Sequence, residues 1–321
     1  MVFNLIEKAG IACDAVRKGW IQPAPSAHAE KVITARMQQW QALSAPVEML
    51  DKTLLKQRLG TAWYRAAWLD RRGGSVNPLA YTRGLASAAI QAGVSLFTQT
   101  PVTGYRQNSS GEWQVSTPQG SVTANQLVLA SNAYVGQLSH SLRKTLVPVR
   151  TAQIASEPLA DEYWQSILPQ GEAASDASHL LTSFRITPDK RLVMGGAYAT
   201  GGDESMALFN ALKCAAQRRF PQLSAIKWVY QWSGYLAITP PHLPQIYQLA
   251  ERCYAPIGCN GRGIAMSTMT GKQLAGLLTH GEPAACAIPV VQPQPRILHP
   301  LRHIGISTQV IWASIKDKFK V

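Results

Sequence analysis

The chain has 321 residues, 46% hydrophobic and 15% charged, a composition typical of a globular protein with one large or two interleaved domains. Its formal net charge is +13, but the basic residues are spread along the chain, with one modest cluster at Lys316, Lys318 and Lys320. A nucleic-acid binder usually concentrates its positive charge, so we expect no nucleic acid. The charge would instead attract an anionic ligand or substrate, or dock the tail on an acidic surface. No run approaches the roughly 18 consecutive apolar residues of a membrane span.

The five cysteines are scattered, odd in number and without a CxxC pair. This pattern predicts neither a disulfide framework nor a zinc site, and it favours a reducing, cytoplasmic setting. The seven histidines also lack the spacing of metal ligands, so no metal is expected.

Residues 1–72 are predicted to be mostly helical, as a portion of a substrate domain. A short strand at Trp20–Gln22 is expected to stop at Pro23. Ser26 and Asp51 are in position to cap two helices, the second of which ends at Gly60.

Residues 73–143 predict a different local order. Asn77 and Pro78 start a helix, and a three-stranded meander follows, with strands at 94–97, 102–107 and 113–115. Leu127–Ala130 is a continuous apolar run, which predicts a strand buried on both faces.

From 144 to 250 the pattern is that of longer antiparallel strands. A hairpin turns at 187–190, an amphipathic helix covers 203–220, and strands follow at 228–232 and 245–249.

The last segment, 251–321, contains the most informative motif. An apolar strand enters a turn with Gly258, Gly261 and Gly263, and a helix is expected from Ser267. Such glycines let backbone approach a ligand, and a helix N-terminus favours negative charge. Two alternatives are a dinucleotide fingerprint, which Met266 in the third glycine position argues against, and a purely structural turn.

Six segments together resemble the D-amino-acid-oxidase-like family of FAD-dependent oxidoreductases, the glycine oxidase and sarcosine oxidase group, and especially the bacterial gamma-glutamylputrescine oxidoreductases. These segments are Gly74–Pro78, Leu127–Tyr134, Asp189–Gly196, Trp232–Tyr235, Leu243–Ile246 and the glycine turn. The resemblance implies an α/β fold in which a partial FAD-binding domain of the glutathione-reductase type is interleaved with an antiparallel-sheet substrate domain. The segments 73–143 and 251–321 would belong to the first domain, and 1–72 and 144–250 to the second.

The resemblance also implies which residues bind the cofactor. Val102 would meet the adenine, and the end of the buried strand would pass the dinucleotide. The glycine turn would wrap the flavin ring, and Arg262 stands where the family often has histidine. The implied cofactor-binding residues are Val102, Ala130, Ser131, Asn132, Gly258, Gly261, Arg262, Gly263, Ile264 and Met266.

Trp232 and Tyr235 would lie on the substrate side of the flavin, with core packing of the two aromatic rings as the alternative. Arg262 would face either the flavin edge or a substrate carboxylate, and both remain open. No catalytic residue is assigned, because amine oxidation by flavin requires little beyond a deprotonated amine held over the ring.

The family begins with a strand, a GxGxxG loop and a helix that bind the pyrophosphate, and this chain contains no such unit. The expectation is an N-terminally truncated oxidoreductase that oxidises an amine or amino acid with FAD, inactive by itself or completed by a separate chain. The alternatives are a non-catalytic remnant and a basic binding module, neither of which would hold flavin.

Overall fold

The structure is a computed structural model that describes residues 1–199 and 206–296, together with 308, 310, 312–313 and 315–317. The α-helices of the described residues, in chain order, are Val2–Ala9 (α1), Ala27–Ala42 (α2), Lys52–Leu59 (α3), Pro78–Gln91 (α4), His140–Thr145 (α5), Asp161–Trp164 (α6), Met206–Arg219 (α7) and Gly263–His280 (α8). The strands are Trp20–Ala24 (β1), Val47–Leu50 (β2), Ala66–Asp70 (β3), Gly104–Gln107 (β4), Trp113–Thr117 (β5), Gly120–Ala124 (β6), Leu127–Val128 (β7), Val147–Ser156 (β8), Ala173–Ser175 (β9), Ser183–Ile186 (β10), Leu192–Ala199 (β11), Trp228–Ile238 (β12), Gln245–Ala250 (β13), Cys253–Ile257 (β14) and Val290–Val291 (β15).

Three predicted helix starts are confirmed, whereas the start of the helix predicted over 203–220 lies outside the described residues. The Ser26 hydroxyl accepts a hydrogen bond from Ala29 N, the Asp51 carboxylate from Leu54 N, and the Asn77 amide oxygen from Ala80 N. Gly60 ends α3 in the left-handed conformation at φ 71°. These helices therefore begin and end where their capping residues satisfy otherwise unpaired backbone groups.

The chain divides into two compact units, each built from three segments of the sequence. One unit contains the described residues of Met1–Ile11, Thr82–Val149 and Tyr235–His303; the other contains those of Ala12–Tyr81, Arg150–Gly234 and Ile304–Val321. We call them the glycine-turn unit and the large-sheet unit. Among the described residues, no helix is both long enough and apolar enough to cross a bilayer.

The large-sheet unit is built on an eight-stranded sheet in the order β12-β8-β11-β10-β9-β1-β3-β2. The predicted hairpin is confirmed, since β10 pairs antiparallel with β11 from Ser183↔Gly195 to Ile186↔Leu192. Its core packs α3 and α7 on one face of the sheet, where Ile154, Met194 and Phe209 are each at most 2% exposed.

The glycine-turn unit contains a four-stranded sheet in the order β15-β13-β14-β7 and a three-stranded sheet, β4-β5-β6. In the first sheet β7 runs parallel to β14, with Leu127 opposite Cys253 and Val128 opposite Tyr254. Trp113 and Tyr247, both nearly inaccessible, anchor the core of this unit.

The meander forms, but its strands differ from those predicted. The predicted strand over 94–97 is wrong: those residues are irregular, and Val94, Leu96 and Phe97 are more than half exposed. The place of the third strand is taken by β6, and β4 begins at Gly104 rather than at Val102. A strand requires a pairing partner, and the described residues provide none for 94–97.

Residues 1–72 are less helical than predicted, because β2 and β3 also lie there, and β12 runs on to Ile238 beyond the predicted strand 228–232.

Three more boundaries differ. β7 covers only Leu127–Val128 of the predicted strand Leu127–Ala130, and both residues are half-buried because β7 is at the end of its sheet. α8 begins at Gly263, four residues before Ser267, so the predicted cofactor residues Gly263, Ile264 and Met266 lie in its first turn. β1 continues through Pro23, whose missing N–H is tolerated within the pairing with β3.

Candidate functional site

The glycine turn connects β14 to α8 and is held by a network around Asn260. This residue has a φ of 47°, its amide oxygen accepts from Thr239 N at 3.1 Å, and its amide nitrogen donates to Gly258 O at 2.5 Å. The Thr239 hydroxyl in turn donates to Leu243 O at 2.7 Å. The turn is therefore fixed by side chains rather than left as a mobile loop.

Gly258 is required by this packing. A Cβ at Gly258 would lie 2.5 Å from Thr239 Cγ2 and 3.0 Å from Leu243 O, and its φ is 98°. Its lack of a side chain is thus explained within the protein itself. Its role as a cofactor contact stays a prediction.

Gly261 and Gly263 are in a different situation. A Cβ at either position would meet no heavy atom of the described residues within 4 Å. The φ of 89° explains Gly261, whereas neither packing nor a positive φ explains Gly263, and the approach of a flat ligand to the backbone would.

α8 begins directly after the exposed Arg262, whose side chain makes no capping hydrogen bond. The first backbone N–H groups of an α-helix have no partner within the helix, and the helix dipole makes this end electropositive. Arg262 adds a full positive charge. Together, Arg262 and the start of the 18-residue helix favour an anionic group at this end.

The second predicted cofactor segment, 130–132, follows β7. Leu129 N donates to Tyr254 O at 2.8 Å, which extends the parallel β7–β14 pairing by one residue. Because β7 and β14 are parallel neighbours, segments 130–132 and 258–263 both leave the sheet at its carboxyl-end edge. Ligands of α/β proteins bind at such edges.

Ser131 carries an unexplained polar group at this edge. Its hydroxyl oxygen is buried and has no hydrogen-bond partner among the described residues. A buried hydroxyl that lacks a partner is costly, and a ligand group can satisfy it. The neighbouring Asn132 is in the left-handed region at φ 47°, which turns the chain sharply after the strand.

Val102 lies in the loop before β4 and is 40% exposed. Its adenine contact stays a prediction.

Tyr235 lies on β12 within the glycine-turn unit and is held by Tyr134. The backbone N of Tyr235 donates to the Tyr134 hydroxyl at 2.9 Å, and the two rings meet edge to face at 5.9 Å. Tyr134 is 63% exposed and was not predicted as a site residue, although it ends one of the family-like segments. A signal for it would have been its position just after the cofactor segment 130–132.

Trp232 belongs to the large-sheet unit and is 44% exposed, so it is not part of a buried core. Its neighbour Ser233 accepts a hydrogen bond from Arg150 Nη1 at 2.8 Å. Trp232 and Tyr235 are therefore three residues apart on one strand but fall in different units.

The Cys253 thiol, on the strand that leads into the turn, is not suited to nucleophilic catalysis. Burial raises the pKa of the Cys253 thiol on β14 to about 11, so it is not a thiolate nucleophile at neutral pH. No group of three or more His, Cys, Asp or Glu side chains suited to a metal ion occurs in the described part of the chain.

The family comparison decides the assignment. Residues 1–277 match the family model described as FAD dependent oxidoreductase. The chain belongs to this family. The resemblance noted in the sequence is confirmed, and so is the α/β fold class.

Individual relatives agree with the family assignment. The chain is 30% identical to a probable oxidoreductase OrdL of Haemophilus influenzae over 233 residues, which are 71% of this chain and 53% of the relative. It is 28% identical to the gamma-glutamylputrescine oxidoreductase of Escherichia coli over 275 residues, 85% of this chain and 64% of that enzyme. The chain thus spans between half and two thirds of the length of these two curated relatives.

Solved structures show the same fold. Glycine oxidase from Geobacillus kaustophilus superposes with a TM-score of 0.76 at 24% identity, covering 88% of this chain and 76% of that one. L-proline dehydrogenase from P. horikoshii gives a TM-score of 0.78 at 18% identity, covering 89% and 78%.

The residues present at the carboxyl-end edge of β7 and β14 fit the flavin end of FAD. The backbone is open at Gly261 and Gly263, the buried Ser131 hydroxyl lacks a partner among the described residues, and the start of α8 favours negative charge. FAD, when bound, supplies the acceptor for a hydride. The chain's own groups would orient it and stabilise the charge that it gains.

Proposed function

We propose that this chain binds FAD at the edge where β7 and β14 end and takes part in the oxidation of an amine or amino acid. This proposal rests on the parallel pairing of these two strands, because it brings segments 130–132 and 258–263 to one edge of one sheet. Relatives named for gamma-glutamylputrescine, glycine and dimethylglycine support a small amine as substrate.

The start of α8 would contribute to the chemistry through its charge. Reduced flavin is anionic around N1 and the C2 oxygen, and the helix N-terminus together with Arg262 would stabilise that charge. Arg262 has the alternative role of binding a substrate carboxylate. Trp232 and Tyr235 are proposed to contact the substrate, with Tyr134 positioning the backbone of Tyr235.

The pyrophosphate of FAD is proposed to be bound by a polypeptide segment outside these 321 residues. Among the described residues β7 is at the end of its sheet, so one edge of the strand has no pairing partner there. In the same unit Ile90, Val94, Leu96 and Phe97 are each more than half exposed. An open strand edge and exposed apolar side chains within one unit are typical of a site that another segment covers.

The flavin contact is tested by replacing a glycine with valine in a version of the protein that retains flavin. Gly263→Val places a branched side chain in the open space at the start of α8 and should abolish flavin retention. Gly271→Val is the matched control, because Gly271 lies in the same helix and its Cβ would also meet open space. Bound flavin is measured by absorbance after gel filtration. Equal flavin content in the two variants would contradict the proposal.

A further inference from the structure

A cavity of about 430 Å³ lies within the large-sheet unit. Its walls come from the first turn of α2, from α7, from the loop at 177–182 and from Lys316 and Asp317 near the C-terminus. This volume is in the range of small-molecule sites. The cavity contains none of the residues proposed to bind flavin or amine, so a ligand bound there would be independent of the proposed function.

The body of the cavity is apolar. Trp63 provides an aromatic wall, and part of the α7 lining consists of small and aliphatic side chains. The apolar lining includes Trp63, Ala177, Leu180, Ala211, Leu212 and Ala215. An aliphatic group placed there would leave water on entry, which favours binding.

The charged lining contains more positive than negative side chains. Three cations, Arg218, Arg219 and Lys316, face one carboxylate, Asp317. Arg219 is already neutralised, because its Nη2 donates to the buried Asp176 at 2.6 Å. The charges of Arg218 and Lys316 are therefore available to a ligand, and Lys316 Nζ lies 5.3 Å from the centroid of the Trp312 ring, a contact that leaves its charge in place.

Backbone N–H groups at the rim of the cavity already bind the carboxylate of Asp317. Asp317 accepts hydrogen bonds from His179 N at 2.9 Å and Leu180 N at 2.8 Å, and its Oδ1 lies 3.0 Å from His179 Nδ1. With these donors, Asp317 is compensated and does not oppose a second anion as a free carboxylate would. Among the described lining residues, Arg218 and Lys316 remain as the unmatched cations.

We propose that this cavity is a binding site for a small aliphatic carboxylate. The carboxylate group would bind Arg218 and Lys316, and the aliphatic body would pack against Trp63 and the alanines of α7. The site would be separate from the flavin edge and present in the chain whether or not flavin is bound.

The test uses hexanoate as probe, with hexanamide and hexylamine as neutral and cationic analogues of similar size. Isothermal titration of the full chain should show hexanoate binding about tenfold or more tightly than hexanamide, because charge-assisted hydrogen bonds to the carboxylate are lost in the amide. Hexylamine should not bind. Equal affinity for hexanoate and hexanamide would overturn the proposal, since it would mean that only apolar surface is recognised.

Variants locate the site. Arg218→Gln and Lys316→Gln should each weaken hexanoate binding about fivefold or more, the effect of losing one exposed charge-assisted contact. Arg83→Gln on α4 and Lys213→Gln on α7 are matched controls outside the cavity and should leave the affinity unchanged. Ala211→Leu, at an exposed lining position, should reduce binding by filling the cavity. If the control variants weaken binding as much as the cavity variants, the charge effect is general and the assigned site is wrong.

Discussion

Among single residues, Arg219 carries the clearest structural role. Its guanidinium donates to Asp176 Oδ2 at 2.6 Å, to the Tyr64 hydroxyl at 2.9 Å and to the Thr182 hydroxyl at 3.1 Å, all in the buried interior of the large-sheet unit. Burial, together with the charge of Asp176, raises the pKa of Tyr64. A buried cation in such a network depends on its carboxylate partner, because removing the partner leaves the charge uncompensated.

We therefore predict that Asp176→Asn destabilises the protein by about 3–5 kcal/mol, the usual cost of leaving a buried charge uncompensated. Asp161→Asn is the control, because Asp161 lies 3.4 Å from Lys190 but is 74% exposed, so that solvent screens this pair. Urea denaturation followed by circular dichroism measures both. A shift of the midpoint that is no larger for Asp176→Asn than for Asp161→Asn would show that the network contributes little.

In the glycine turn between β14 and α8, two glycines have similar positive φ values but differ in the space around them. Gly258 and Gly261 have φ values of 98° and 89°, so alanine at either position suffers the same backbone penalty of about 1–2 kcal/mol. Only at Gly258 would the added Cβ clash, at 2.5 Å from Thr239 Cγ2. Overpacking of this kind typically costs a further 1–3 kcal/mol or so.

We predict that Gly258→Ala lowers the free energy of unfolding by about 1–3 kcal/mol more than Gly261→Ala. Thermal or urea unfolding of the two variants beside the unsubstituted chain measures this difference. Equal destabilisation would mean that the turn moves away from Thr239 at no cost, and that the Asn260 network does not fix it.

How far each element was predictable depends on the range of its interactions. The caps at Ser26, Asp51 and Asn77 were predicted because each acts on a backbone group three residues away. The strand over 94–97 was predicted wrongly because its apolar pattern says nothing about the presence of a pairing partner. The periodicity of apolar residues therefore predicted that most helices and strands exist more accurately than it predicted where they begin and end.

The candidate site was predictable only in part for the same reason. Segments 130–132 and 258–263 were found through resemblance to a family, and their common edge follows from the parallel pairing of β7 with β14. The Asn260–Thr239 bonds join residues 21 positions apart, and the contact between Tyr134 and Tyr235 joins residues 101 positions apart. A local sequence pattern does not encode contacts between residues so far apart in the sequence.

For the molecule as a whole, the affinity for FAD depends on which groups bind its two phosphates. FAD carries two phosphate charges, and folds of this type meet them with backbone N–H groups at a glycine-rich helix start. The proposed flavin edge already uses the start of α8. Diffuse positive charge does not replace a phosphate loop, because its field is screened within about 8 Å at physiological salt and fixes no geometry.

We therefore predict that the 321 residues alone bind FAD with a dissociation constant above about 10 µM, equivalent to a binding free energy weaker than about −7 kcal/mol, and do not oxidise amines. The affinity is measured by titrating FAD with the chain and following the flavin fluorescence.

Fusing the strand–GxGxxG–helix segment of a family member such as Geobacillus kaustophilus glycine oxidase to the N-terminus should tighten FAD binding, because it supplies the phosphate loop and a partner for the open edge of β7. The same fusion with its loop glycines changed to valine should not. Tight stoichiometric binding with amine turnover by the unfused chain would refute the prediction, whereas rescue by the intact fusion alone would show that the flavin edge of this chain is ready to function once the pyrophosphate is held.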